Sequence, residues 1–157
     1  MLKNINPLLN AEILYALAAM GHGDEVVICD AHFPADSVAR QTVLGRVLRV
    51  DGASAPRVVR AVLSVLPLDT FVDDPAGRME VVGDASTLPA VQREAQREVD
   101  DAEGRDMPFA SIERFAFYER AKRAYCVIAT GEARGYGCFI FKKGVQLAAD
   151  APEGGTR

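Results

Sequence analysis

Residues 21–34 read GHGDEVVICDAHFP, and this stretch decides the fold. Its centre, Val26-Val27-Ile28-Cys29, is an unbroken apolar run rich in β-branched residues, bounded by Gly23 on one side and by Asp30 and Pro34 on the other. An unbroken run of this length suits a strand over 25–30 that is covered on both faces, because a strand with one wet face would alternate polar and apolar residues. Helices are then needed above and below it. Upstream, Asn10 can cap a helix whose apolar positions Ile13, Leu14, Leu17 and Ala18 share one face, and Gly21 ends it. Downstream, the pattern predicts a strand over 44–50, then a helix from the cap Ser54 to Leu66 with Pro56 in its first turn. Short strands are expected over 68–72 and 79–82, with the turn DDPAG between them. Two further helices are expected over 89–103, with a charged and solvated face, and over 112–124, and two strands over 125–129 and 138–142. Alternating strands and helices predict a three-layer α/β sandwich with a largely parallel sheet, built as a single domain over 1–145. The tail 146–157, QLAADAPEGGTR with Gln146 leading, is small, polar and Gly-rich, and is expected to be disordered.

The composition narrows the function. At 157 residues the chain has the size of one domain, and 18 Lys and Arg against 22 Asp and Glu leave a net charge of −4. That balance gives no electrostatic footprint for nucleic acid or anionic lipid, so the expected partner is a small molecule. The N-terminus has neither a basic nor a long apolar segment, and no window approaches the ~20 apolar residues of a membrane span, so a soluble, cytoplasmic protein is expected. Cys29, Cys126 and Cys138 lie in apolar, strand-like runs without close pairwise spacing and read as buried thiols, with a catalytic cysteine as the lesser alternative.

Both histidines of the chain, His22 and His32, fall in the opening stretch. Ligands of parallel sheets lie beyond the carboxyl ends of strands, where Asp30 and His32 are expected, whereas His22 precedes its strand. If His22 and Asp30 share a site, the chain doubles back or a neighbouring subunit supplies one of them. Plainer readings stand beside these. His22 could touch the last carbonyls of the first helix, Asp30 could start an Asx turn, and His32 could be an ordinary loop residue against Phe33. The histidine spacing fits no zinc motif, and Gly21-His22-Gly23 precedes a strand, so it is no dinucleotide fingerprint. General acid/base chemistry remains, since it needs only a few His, Asp and Tyr residues brought together by the fold.

The blocks PLLNAEILYALAAMGHGDEVVICDAHFPADS, RFAFYERAKRAY, IATGEARGYG and KKGV occur in order over most of residues 5–145. This arrangement resembles the fucose mutarotase and ribose pyranase family, closest to its fucose branch. The resemblance implies an α/β subunit that self-associates into a ring or smaller homo-oligomer, a decamer among the candidates, with a sugar site at a subunit boundary. It implies a free monosaccharide as partner, fucose first and ribose second, and neither a metal nor an organic cofactor. Position by position, it makes His22 the proton donor and Asp30 a holder of sugar hydroxyls, and it places Asp69, Arg114 and Tyr118 among the site residues. The family's closing Tyr-Gly-Asn is Tyr136-Gly137-Cys138 here, a departure at the third position.

Such residues suit mutarotation, in which a hemiacetal ring opens and recloses on the other face of the aldehyde. One group protonates the ring oxygen while another takes the proton of the anomeric hydroxyl. His22 is the candidate for the first, and Tyr118 or a carboxylate such as Asp69 for the second; help of this kind is worth roughly 10²- to 10⁴-fold. Asp30, Asp69 and Arg114 are candidates for holding the remaining hydroxyls, and Tyr136 for packing on the apolar side of a 6-deoxy sugar. On local sequence alone Arg114 could instead pair with Glu113 or Glu119, Tyr118 could be core, Tyr136 a loop aromatic and Asp69 a turn residue. A non-catalytic sugar-binding or transport-associated module on the same scaffold is the competing class, and it has no need of a titrating group at the ring oxygen.

Overall fold

Val26, Val27, Ile28 and Cys29 are fully buried in the computed structural model, which describes residues 1–148. They form β1 (Glu25–Cys29), with α1 (Ala11–Ala19) before it and α2 (Ala35–Ala39) after it. The chain continues through β2 (Val47–Val50), α3 (Ala55–Leu63), β3 (Ala76–Met79) and α4 (Ala90–Glu103). It ends with β4 (Ala110–Ile112), α5 (Arg114–Lys122), β5 (Cys126–Thr130) and β6 (Phe139–Lys142). Val26 and Ile28 point to a core shared with α1, α3 and α4, whereas Val27 and Cys29 point to a second core with α2 and α5. The sheet is therefore the middle of three layers, and the unbroken apolar run has its physical reason in that placement. Fully burying each Val or Ile of β1 contributes roughly 1.5–3 kcal/mol.

The strand order is β2-β5-β1-β6-β3-β4. β2, β5 and β1 are mutually parallel, β3 and β4 are parallel, and β6 alone runs antiparallel, between β1 and β3. The largely parallel sheet expected from the sequence is present with one inverted strand in its interior. That inversion matters for function, since it brings the amino end of β6 to the edge where the other strands end.

Local chemistry explains where elements start and where expectation failed. Asn10 caps α1 by accepting the Ile13 N–H at 3.0 Å, as the sequence predicts. The strand expected over 68–72 is reduced to a bridge between Leu68 and Lys143, because Asp69 accepts the Phe71 N–H at 3.0 Å and bends the chain. The helix expected over 112–124 begins two residues later, behind the short strand β4. Glu113 caps it, accepting the N–H groups of Phe115 and Ala116. The charged helix α4 does keep a solvated face, but Val91, Gln92, Ala95 and Val99 are buried beneath it. The short helix α2, which follows Pro34, has no side-chain cap that could announce it. All three cysteines are buried free thiols, and burial pushes Cys126 up to about 12 and raises Cys29 and Cys138 as well. The expected tail 146–157 lies mostly outside the described residues. Among the described residues no helix is long and apolar enough to cross a membrane.

Candidate active site

The inverted β6 sets the geometry of the site. Where β1, β3, β4 and β5 end, β6 begins, so residues 30–33, the loop 131–137 and the start of α5 meet at one edge of the sheet. A hollow of 210 Å³ lies there, lined by Asp30, His32, Phe33, Met79, Arg114, Tyr118, Gly135, Tyr136 and Cys138.

Asp30, 4% exposed, fastens the two loops together. One carboxylate oxygen accepts the N–H groups of His32 and Phe33, both at 3.0 Å. The other accepts the Gly137 N–H at 3.1 Å and the Cys138 thiol at 3.3 Å. Together these four donors fill the roughly four acceptor positions of a carboxylate. Gly137 fits because a Cβ there would sit 3.0 Å from Glu132 Cγ and 3.3 Å from Val91 Cγ2. Cys138 turns its thiol to Asp30. We expect Asp30→Ala to strand buried donors on both loops and lower stability by about 2–4 kcal/mol. Urea unfolding measures it, and an unchanged midpoint would show that the loops hold without the carboxylate.

The closing loop is held from below. Tyr136 adopts a left-handed backbone, φ 63°, which a non-glycine residue keeps only when its surroundings enforce it. Gln92 of α4, fully buried, donates to the carbonyls of Tyr136 at 3.0 Å and Met79 at 2.6 Å, while Val82 N–H donates to the Tyr136 phenol oxygen at 3.3 Å. Glu132 accepts from Arg134 and from the Ala55 N–H at the start of α3. Arg134 holds that carboxyl below its ordinary range against the opposing effect of burial. Gln92 has no signal in the sequence, where it is one polar residue among many on a charged helix.

On α5, Arg114 and Tyr118 are one turn apart, and the Arg114 Nε–H donates to the Tyr118 oxygen at 3.1 Å. The guanidinium lies 5.6 Å from the centre of the Tyr118 ring. The surface pairings open to Arg114 do not form, because Glu113 caps the helix and Glu119 pairs with Lys122. His32 Nε2 lies 2.8 Å from the Ala133 carbonyl.

His22 and Asp69 lie at the opposite edge, before β1 and β3. His22 Nε2 is 3.2 Å from Asp69 Oδ2, with side chains 46% and 4% exposed. The Phe71 N–H, acting against burial and joined by the imidazole, holds the Asp69 carboxyl below the usual range. The Phe71 ring stands edge-on to His22 at 5.5 Å. The alternative role of His22 at the end of α1 does not materialise, since the Leu17 and Met20 carbonyls accept from the Lys143 ammonium. The structure thus joins Asp30, Arg114, Tyr118, Tyr136, Gly137 and Cys138, and separately joins His22 and Asp69. Among the described residues no group of three or more His, Cys, Asp or Glu side chains is placed to hold a metal ion.

The sequence pattern of the RbsD / FucU transport protein family matches residues 3–146. The chain belongs to that family. Within the RbsD / FucU family, the chain is similar to human fucose mutarotase, 45% identical over 147 residues that span 92% of this chain and 94% of the human one. It is 43% identical to the L-fucose mutarotase of Haemophilus influenzae (strain 86-028NP), over 92% of this chain and 97% of that one. A crystal structure of fucose mutarotase from Streptococcus pneumoniae in complex with L-fucose matches with TM-score 0.83 at 35% identity, covering 93% of this chain and 100% of that chain. The resemblance carried by the sequence motifs is therefore borne out at the level of family and fold.

Proposed function

We propose that this protein is a mutarotase that interconverts the α and β anomers of free L-fucose, working as a homo-oligomer in which neighbouring copies complete each other's sites. The observation that carries this reading is the division of the family's site residues between two edges of one sheet. The five residues of β1 alone rise roughly 16 Å, further than a monosaccharide spans between two directly bonded groups. A proton-transfer group, His22 on Asp69, therefore meets a sugar held in the hollow only if one copy brings it to the other.

In the assembled site, His22 gives its proton to the ring oxygen as the ring C–O bond breaks, Asp69 beside it takes the proton of the anomeric hydroxyl, and reclosure on the other face of the aldehyde reverses both transfers. Arg114 and Tyr118 donate to sugar hydroxyls. Because the Tyr118 oxygen already receives the Arg114 N–H, its own O–H is free to point into the hollow. The Tyr136 ring and Phe33 supply the apolar wall against which the methyl group of a 6-deoxy sugar packs. Asp30 serves the site by fastening both loops, with Cys138 as its fourth donor.

Saturation-transfer NMR on free sugars tests the activity. The α and β anomers of L-fucose should exchange faster with the protein than in buffer, with a weaker effect on D-ribose. Exchange equal to buffer for every sugar would end the mutarotase reading.

A further inference from the structure

The hollow at the carboxyl edge is rich in donors and short of acceptors, although a sugar hydroxyl offers a proton as readily as it takes one. Among its lining side chains, Asp30 already holds four protein donors. Arg114 has only donors, and the Cys138 thiol is turned to Asp30. The phenol oxygens of Tyr118 and Tyr136 receive the Arg114 Nε–H and the Val82 N–H, which leaves each a proton to give. His32 differs from all of them. Its Nε2 faces the Ala133 carbonyl at 2.8 Å, and a carbonyl only accepts, so the ring proton sits on Nε2 and the lone pair of the neutral imidazole sits on Nδ1.

We infer that His32 is a further sugar-binding residue, whose Nδ1 accepts the hydrogen bond of a sugar hydroxyl in the hollow. The inference rests on the mutarotase reading for the choice of sugar, and it assigns His32 no proton transfer. Its role has a built-in consequence. A protonated imidazole presents an N–H at Nδ1, so the acceptor becomes a donor in a hollow that already has several, and sugar binding weakens as the pH falls. The other titratable or charged groups that face this ring or share its hollow are Asp30, Arg114, Tyr118, Tyr136 and Cys138, together with His22 of a neighbouring copy in the assembled site.

The test compares two substitutions that both lose the bond to Ala133. Asn places an amide oxygen close to the position of Nδ1 and accepts without titrating; Phe accepts nothing. Calorimetric titration of L-fucose into His32→Phe should give an affinity about tenfold weaker at neutral pH, the usual worth of one hydrogen bond. His32→Asn should stay within about threefold of the wild type there and lose the acid weakening that the wild type shows. Wild-type affinity in His32→Phe, or an acid weakening retained in His32→Asn, would overturn the inference. Tight binding of fucose without catalysed exchange would instead end the mutarotase reading and leave His32 in place.

Discussion

His22→Ala should lower catalysed exchange of the L-fucose anomers by at least ~10²-fold at saturating sugar, the usual worth of a general acid, while fucose affinity changes only a few-fold. The side chain is nearly half exposed and meets Asp69 and the edge of Phe71, so its removal leaves the core and the distant hollow intact. What it removes acts chiefly when the ring C–O bond is breaking, and such a contribution appears in the rate and not in ground-state binding. Asp69→Asn should follow the same pattern, because an amide can hold the imidazole in place but cannot take the proton of the anomeric hydroxyl. Near wild-type exchange by His22→Ala would take the histidine out of the chemistry and leave the His22–Asp69 pair as a turn contact.

Complementation between two inactive variants should be the clearest sign of a shared site. His22→Ala spoils one edge of the subunit and Arg114→Ala the other, so each homo-oligomer contains no intact site. When the two are produced together in equal amounts, about a quarter of the sites in a closed, head-to-tail arrangement combine two intact halves. Exchange should then recover to about a quarter of the wild-type rate, although neither partner alone exceeds a few per cent of it. Activity that stays at the sum of the separate variants, or a fully active monomer in sedimentation at assay concentration, would place the whole site inside one subunit.

Family and fold class were legible because their causes are local. The run Val26–Cys29 is apolar at every position, which only a strand buried on both faces tolerates, and Asn10 caps the following turn wherever that helix sits. The misreadings have equally specific causes. In the stretch 68–72 the residues favour a strand, but Asp69 takes the Phe71 N–H that a ladder would need. The strand β4 is three residues long, too short for an alternation to register, and α2 begins after Pro34 without a capping side chain.

The sequence by itself determined the family and marked the candidates for the chemistry: a histidine before the first strand, an aspartate after it, and an arginine one helical turn from a tyrosine. Only the tertiary structure decided which of them meet. Asp30 and Gly137 are 107 positions apart, and they touch because β6 enters the sheet inverted beside β1. The same sheet puts His22 and Asp69 at its far edge, and His32 acquires its tautomer from a carbonyl 101 positions away. Spacing along the chain contains neither fact, because hydrogen bonds and burial depend on distance in space, and the packing of the whole domain sets that distance.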